Sequence, residues 1–273
     1  MCGISGYIGN KKYSKKEINS LLDLMKSRGP NSQNYFYSQS IKNNNIYLLH
    51  SRLNIIDLSK KANQPFIYKD YVLIFNGEIY NFIELKKILL KKGVILKSNS
   101  DTEVLLHCYI LFGKKCLDMF EGMWSFVIYN KKNKSFFFSR DRFGEKPLYY
   151  IKYKDGFYFG SEINYIFNLI GSNLDINTKH LVNYLSLGYK SLHKENNTFY
   201  KNLKIFPKSS YLKTSNFENL SFKKYWNLKY KPNYKLEYNE VINKTKILLK
   251  KAFEIRFRSD VPIGLCLSGG IDS

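Results

Sequence analysis

The spacing of apolar positions predicts a chain that mixes helices and strands. Ser14 and Glu17 form a capping-box pattern, which predicts a helix from there to about Met25 with its apolar residues on one face. Residues 71–75 form a short, continuous apolar run that is typical of a buried strand. Further helices are predicted after Asn81 and over 101–113, 177–187 and 238–258, and further strands over 46–49, 124–129, 135–139, 148–153, 157–160 and 261–267.

Toward the C-terminus the regular succession of predicted helices and strands is interrupted. A loop-rich stretch runs to about Pro232, and the predicted helix and strand then lead into a glycine-rich turn at 268–273. A strand that enters such a turn ordinarily continues into a helix. We therefore expect the sequence to stop at the start of a second domain.

Composition narrows the class of protein. The 273 residues are 44% hydrophobic and 24% charged, an ordinary balance for one large or two small folded domains. No apolar run approaches about 18 residues and no signal-peptide pattern is present, so we expect neither a membrane nor a secreted protein. The four cysteines show no zinc-ribbon or disulfide-scaffold spacing, so we expect no metal site and a cytoplasmic location; they are Cys2, Cys108, Cys116 and Cys266.

The net charge of +22 would by itself indicate a nucleic-acid partner, because 44 Lys and Arg outnumber 22 Asp and Glu. The lysines are scattered along the whole chain in pairs such as Lys11-Lys12 and Lys250-Lys251. The sequence has no long block of like charges and no known nucleic-acid-binding motif. Solvated lysine faces are therefore the favoured interpretation, and we expect no nucleic-acid partner.

Cys2 is the first candidate for catalysis. If Met1 is removed, Cys2 carries both a thiol and a free α-amine, and an amine with a pKa of about 7.7–8.0 can accept the thiol proton at physiological pH. No separate histidine base is then required. The alternative is a buried or incidental cysteine, which the dipeptide Met1-Cys2 alone would favour.

Other positions offer the groups that such a nucleophile needs. Asn76 and Gly77 follow the predicted strand 71–75, where an amide and a backbone N–H can stabilise an oxyanion, although Asn-Gly is also a common turn. Arg52 can hold a carboxylate in its guanidinium fork, or form a surface salt bridge. Asp101 can accept a substrate ammonium, or cap the helix that it begins.

A series of motifs runs through the chain in a fixed order. They are Met1-Cys2-Gly3-Ile4-Ser5-Gly6, Arg28-Gly29-Pro30, residues 50–58, Gln64-Pro65, Phe75-Asn76-Gly77-Glu78-Ile79-Tyr80-Asn81, Ser100-Asp101-Thr102-Glu103-Val104, residues 120–124, residues 140–150 and Gly160-Ser161-Glu162-Ile163. Together they resemble the N-terminal glutaminase domain of the glutamine-hydrolysing asparagine synthetases, which are class II glutamine amidotransferases. Residues 259–273 resemble the opening of that family's ATP-pyrophosphatase domain, so the resemblance covers essentially the whole chain.

The resemblance implies an α/β (α+β) fold. A four-layer αββα N-terminal-nucleophile hydrolase domain would be followed by the first helix and strand of a truncated α/β ATP-pyrophosphatase domain. The glutamine amidotransferase domain would span 1–215, a connecting segment 216–235 and the truncated synthetase domain 236–273.

The resemblance also implies a role for each matching position. Cys2 would be the nucleophile, and Asn76 and Gly77 would form the oxyanion hole. Arg52 would bind the glutamine α-carboxylate, and two carboxylates, Glu78 and Asp101, would bind its α-ammonium. The backbone of the pocket would come from Leu53, Asn54, Ile55 and Ile56. An incomplete ATP-binding loop would comprise Leu267, Ser268, Gly269, Gly270, Asp272 and Ser273.

One position departs from the family pattern. Asn31 follows Arg28-Gly29-Pro30 where the family usually has Asp, which removes one loop carboxylate but none of the groups assigned to catalysis. The glycine-rich loop also lacks the Gly-Lys-Ser/Thr ending of a Walker A motif. Because no helix follows that loop, we expect this 273-residue chain to bind ATP negligibly.

The implied reaction is hydrolysis of glutamine to glutamate and ammonia at Cys2, with no cofactor. In the full-length enzyme, expected to be a homodimer, the ammonia would amidate aspartate that has been activated by ATP with Mg²⁺. One alternative is an amidotransferase for a sugar carboxylate in surface-polysaccharide synthesis. The alternatives outside enzymology are an inert fragment and a basic binding module.

Overall fold

The structure, a computed structural model, describes residues 2–39, 44–154, 156–189, 192 and 195–270. The strands are β1 (Gly3–Gly9), β2 (Ser32–Gln39), β3 (Asn45–Arg52), β4 (Phe66–Tyr68), β5 (Tyr71–Ile79), β6 (Gly122–Asn130), β7 (Ser135–Arg140), β8 (Tyr149–Tyr153), β9 (Gly156–Gly160), β10 (Lys204–Ile205), β11 (Ser210–Thr214) and β12 (Lys223–Lys224). The helices are α1 (Lys15–Met25), α2 (Phe82–Lys91), α3 (Asp101–Phe112), α4 (Cys116–Met119), α5 (Ile163–Ile170), α6 (Thr178–Leu187) and α7 (Tyr238–Arg256).

The strands form two antiparallel sheets of six strands each. One has the order β10-β8-β9-β1-β3-β2, and the other has the order β12-β11-β7-β6-β5-β4. The central strands β1 and β5 carry the motifs that begin at Cys2 and end at Asn81. The topology therefore brings the start of the chain and the Asn-Gly motif into the middle of the molecule.

Alternating side chains of β5 show how the layers arise. Val72 and Ile74 belong to the core between the sheets, whereas Leu73 and Phe75 pack with α2 and α3 on the outer face. Successive residues of a strand point to opposite faces, so a continuous apolar run buries both. A third core, which includes Leu21, joins α1 and α5 to the outer face of the first sheet. The predicted four-layer αββα arrangement is confirmed.

The sequence pattern does not predict β1, β2, β4, α4, α5, β10, β11 or β12, and it predicts one strand that the structure lacks. The pattern misses β2, because its polar residues lie at the edge of a sheet with side chains that are only partly buried. It also misses α5, which is only eight residues long. No strand forms over the predicted range 261–267, where Ile263, Leu265 and Leu267 are exposed. An apolar run needs a neighbouring strand to become part of a sheet, and none lies beside it in the described chain.

Helix α7 forms as predicted and ends at Arg256. None of its residues is buried, and Leu248 and Phe253 are among its exposed apolar side chains. Within the described residues, no helix is both long and apolar enough to cross a membrane.

Candidate active site

Nearly all of the predicted catalytic and glutamine-binding residues line one pocket, at the start of β1 and the end of β5. Asn54 is the exception, and its backbone N–H donates to Asn31 Oδ1 over 3.0 Å. The amide oxygen of Asn31 thus serves as an acceptor where the family usually has Asp. The pocket is lined by Cys2, Arg52, Leu53, Ile55, Ile56, Gln64, Phe75, Asn76, Gly77, Glu78, Ser100, Asp101, Thr102 and Lys146.

The Cys2 thiol contacts the backbone of Leu53. Leu53 N donates to Cys2 Sγ over 3.4 Å, and Sγ lies 3.7 Å from the Leu53 carbonyl oxygen. Burial raises the pKa of the Cys2 thiol, and the Leu53 hydrogen bond and the Arg52 charge only partly oppose that rise. The thiol is therefore protonated at neutral pH, and it needs a nearby base to become a nucleophile.

Asn76 and Gly77 lie inside β5, where they pair with Ser125 and Trp124 of β6. The alternative that this dipeptide forms a turn is therefore wrong. A Cβ atom on Gly77 would lie 2.1 Å from the Met123 carbonyl oxygen, so only glycine fits against β6. The strand thus fixes the position of the Gly77 backbone beside the pocket.

The Asn76 side chain is buried, with 1% of its surface exposed. Its Nδ2 donates to Ser161 Oγ over 3.3 Å. A side-chain amide has two N–H groups, so one donor remains for a ligand. Asn76 Oδ1 is buried and has no hydrogen-bond partner among the described residues.

Asp101 is the first residue of α3, but Ser100 is the residue that caps the helix. Ser100 Oγ accepts from Thr102 N over 3.1 Å, whereas Asp101 Oδ2 accepts from Ile79 N over 3.0 Å. Burial raises the pKa of Asp101 to about 7, and the neighbouring Glu78 carboxylate adds to that rise. Capping therefore does not account for Asp101, whose carboxyl group lies in the pocket wall.

Arg52 organises the loop that follows β3. Its Nη1 donates to Ser59 O and Asn63 Oδ1, each over 2.8 Å. Its Nη2 donates to Ile56 O over 3.3 Å and also to Asp57 O. Arg52 is 4% exposed, which excludes the alternative of a surface salt bridge. The guanidinium thus supplies a buried positive charge to the pocket and holds the loop around itself.

Two pocket residues have roles that the sequence does not predict. Lys146 is buried, and its charge lowers the pKa of Glu78, although burial of that carboxyl has the larger, raising effect. Gln64 joins β5 to α3, because its Oε1 accepts from Phe75 N over 2.7 Å and its Nε2 donates to Thr102 Oγ1 over 3.2 Å. Gln64 and Lys146 both lie in the motifs that carry the family resemblance, and those motifs could have marked them as pocket residues.

The described part of the predicted ATP loop, residues 267–270, has no comparable site around it. Asp272 and Ser273 lie outside the described residues. Leu267, Ser268, Gly269 and Gly270 are exposed, and a Cβ atom on Gly269 would meet nothing within 4 Å. A phosphate cradle needs backbone amides that are held by flanking elements. The four described residues do not form such a cradle in this arrangement.

Comparisons with known proteins agree with this fold. The glutamine phosphoribosylpyrophosphate amidotransferase of Bacillus subtilis, solved with ADP and GMP, superposes with a TM-score of 0.57 at 17% identity, over 82% of this chain and 49% of that one. The fold is therefore that of the amidotransferases with an N-terminal nucleophile. A family model described as a glutamine amidotransferase domain matches residues 1–226, and this chain belongs to that family.

A second family model, asparagine synthase, matches residues 244–273. The putative asparagine synthetase [glutamine-hydrolyzing] 2 of Methanocaldococcus jannaschii is 38% identical over 300 residues, which cover 100% of this chain and 55% of that protein. Asparagine synthetase [glutamine-hydrolyzing] 1 of Bacillus subtilis is 32% identical, over 100% of this chain and 43% of that protein. The chain thus spans about half the length of these curated relatives.

Proposed function

We propose that this chain is the glutaminase half of a glutamine-dependent asparagine synthetase. The observation that supports this most strongly is the meeting of Cys2, Asn76, Gly77 and Asp101 in one pocket. They come from the chain start, from β5 and from α3, and together they supply the chemical groups for amide hydrolysis. The names of the two curated relatives support the same assignment.

The reaction begins at Cys2 once Met1 has been removed. The α-amine of Cys2 takes the thiol proton, and the thiolate attacks the carboxamide carbon of glutamine. Asn76 Nδ2 and Gly77 N–H donate to the oxyanion that forms. When the intermediate collapses, the ammonium of Cys2 gives its proton to the amide nitrogen, the C–N bond breaks and ammonia leaves. Water then hydrolyses the glutamyl thioester, which releases glutamate and restores the thiol.

The pocket also accounts for recognition of free glutamine. Arg52 offers positive charge to the α-carboxylate while its Nη atoms hold the loop carbonyls, and the backbone from Leu53 to Ile56 lies alongside. Asp101 and Glu78 offer negative charge to the α-ammonium. Opposite charges that line one pocket would orient the side-chain amide toward Cys2.

The acceptor reaction belongs to the longer protein. There, ammonia from this half amidates aspartate that has been activated by ATP, as the names of the relatives and the match at 244–273 support. These names favour aspartate over a sugar carboxylate. The boundaries 1–215, 216–235 and 236–273, the use of Mg²⁺, a homodimer and a cytoplasmic location stay predictions.

Glutamine hydrolysis by the chain with a free Cys2 amine tests the proposal. We expect glutamate and ammonia in equal amounts, without ATP, and no product from Cys2→Ala. Asparagine, which is one methylene shorter, is the matched substrate control and should react far more slowly. Equal rates with Cys2→Ala and the unaltered chain would reject the proposed function.

A further inference from the structure

The residues just after α7 are bonded to the loop that borders the candidate glutamine pocket. Asp260 Oδ2 accepts from Asp57 N over 2.7 Å, and Asp260 N donates to Ile55 O over 2.9 Å. Ile55 itself lines the pocket. The C-terminal segment, which is otherwise exposed, is therefore fastened to the loop by a pair of hydrogen bonds.

Asp57 connects this loop to Arg52 and to the start of α3, which carries Asp101. Its carbonyl oxygen accepts from Arg52 Nη2, and its carboxylate accepts from Asn99 N over 2.8 Å, two residues before Asp101. Its φ of 57° lies in the left-handed region, which residues other than glycine rarely adopt. The conformation of Asp57 therefore depends on its bonding partners, and Asp260 is one of them.

Arg258 fastens the same segment to the residues that follow β5. Its two Nη atoms each donate to the Glu84 carboxylate over 2.6 Å, and Nη1 also donates to Tyr80 O over 2.6 Å. Tyr80 follows Ile79, whose N–H donates to Asp101. Glu84 is about half exposed, so solvent screens this bidentate ion pair, which holds the segment beside the start of α2.

We propose that Asp260 is a positioning residue for glutamine binding, and that bound glutamine and the docked segment 258–260 stabilise each other. This inference rests on the proposed glutaminase function. Glutamine binds best when the Ile56 and Asp57 carbonyls hold Arg52 in place, and Asp260 restrains the backbone that carries them. Because Asp260 touches neither Cys2 nor Asn76, its loss should weaken binding and leave the chemical step unchanged. Coupling between binding events is reciprocal, so glutamine should in turn favour docking of the segment.

Two measurements separate binding from chemistry. Asp260→Ala should raise the KM for glutamine about threefold to tenfold and change kcat by less than about twofold, as loss of one partly exposed hydrogen bond to a carboxylate would. The Kd for glutamine, measured calorimetrically in the Cys2→Ala background, should rise by the same factor. Asp260→Asn keeps an acceptor oxygen and should restore most of the affinity. Glu254→Gln, on the exposed side of α7, is the matched control and should change nothing.

Hydrogen exchange tests the reciprocal effect. Saturating glutamine should slow amide exchange at residues 258–260 in the Cys2→Ala variant. In the Cys2→Ala, Asp260→Ala double variant, glutamine should slow this exchange less. An unchanged KM and Kd for Asp260→Ala, in a chain that hydrolyses glutamine, would overturn the inference and leave the proposed function intact. Failure of the unaltered chain to bind or hydrolyse glutamine would instead reject both.

Discussion

Helices α1 and α7 both carry apolar residues at helical spacing, more sharply segregated in α1, and they have very different surroundings. Helix α1 buries Ile18, Leu21, Leu22 and Met25 against the first sheet and α5, whereas α7 buries none of its residues. The pattern therefore predicts that a helix forms and which face is apolar. It does not predict what that face packs against, because the partner lies elsewhere in the sequence.

The two apolar runs 71–75 and 261–267 show the same contrast. The first becomes the N-terminal part of β5, between β4 and β6, with both faces covered. The second stays exposed and forms no strand. Burial against neighbours, which is a tertiary property, decides the outcome. Chemistry and stability should therefore depend on residues of the layered region and hardly at all on matched residues of the C-terminal segment.

The two accessible cysteines provide the sharpest test of this contrast. Cys2→Ala should abolish glutamine hydrolysis, because it removes the nucleophile, while Cys266→Ala should leave the rate unchanged. Residues retained upstream of Cys2 should also abolish activity, since the base is the amine of Cys2 itself. Steady-state ammonia release measures the activity of the two variants and of the extended chain. An upstream-extended chain that works at the normal rate would show that another group is the base.

Within the pocket, Asn76 and Arg52 should differ in the parameter that they change. Asn76→Ala should lower kcat by about 100-fold to 1,000-fold, as loss of an oxyanion donor does. Arg52→Ala should chiefly raise the KM for glutamine. Arg52→Lys should recover little of that lost affinity, because one ammonium cannot hold four loop acceptors. Initial rates over a range of glutamine concentrations separate the two effects. A change confined to KM in Asn76→Ala would refute the oxyanion role.

A matched pair of leucines compares the two helices directly. Leu21→Ala should lower the free energy of unfolding by about 2–5 kcal/mol, because Leu21 is fully buried. Leu248 has 67% of its surface exposed, so Leu248→Ala should change the free energy of unfolding by no more than about 0.5 kcal/mol. Urea unfolding measures the free energy for both variants.

Limited proteolysis should cut within α7 before it cuts the layered region, because α7 buries none of its residues. Equal resistance of the two regions would contradict the contrast between them.

Asp101 should make glutamine binding depend on pH. Its pKa of about 7 means that the carboxyl is protonated below neutrality and ionised above it, and only the ionised form attracts the α-ammonium. Affinity should therefore rise as the pH rises through 7, and fall by up to about tenfold per pH unit below it. Calorimetry with Cys2→Ala measures this without turnover. If the Cys2→Ala, Asp101→Asn double variant shows the same pH dependence of glutamine affinity, a group other than Asp101 is responsible for it.

The parts of the site that could be predicted are those that short motifs specify. Cys2, Asn76 and Asp101 follow from their positions at a chain start, a strand and a helix start, and all three reach the pocket. Arg52 holds a loop that follows it directly in the chain, but the irregular path of that loop is not set by any periodic pattern. The bridging role of Gln64 depends on Thr102, 38 residues away, which only the fold brings near. The same holds for Asp260, 203 residues from Asp57.

The union of nucleophile and base in Cys2 has a consequence for labelling. After removal of Met1, Cys2 is a 1,2-aminothiol, and such a pair condenses with an aldehyde. The carbonyl carbon bonds to both sulfur and nitrogen, its oxygen leaves as water, and a thiazolidine ring closes. Cys108, Cys116 and Cys266 lack the free amine and cannot close this ring. One aldehyde molecule would thus block both catalytic groups and mark a single position in the chain.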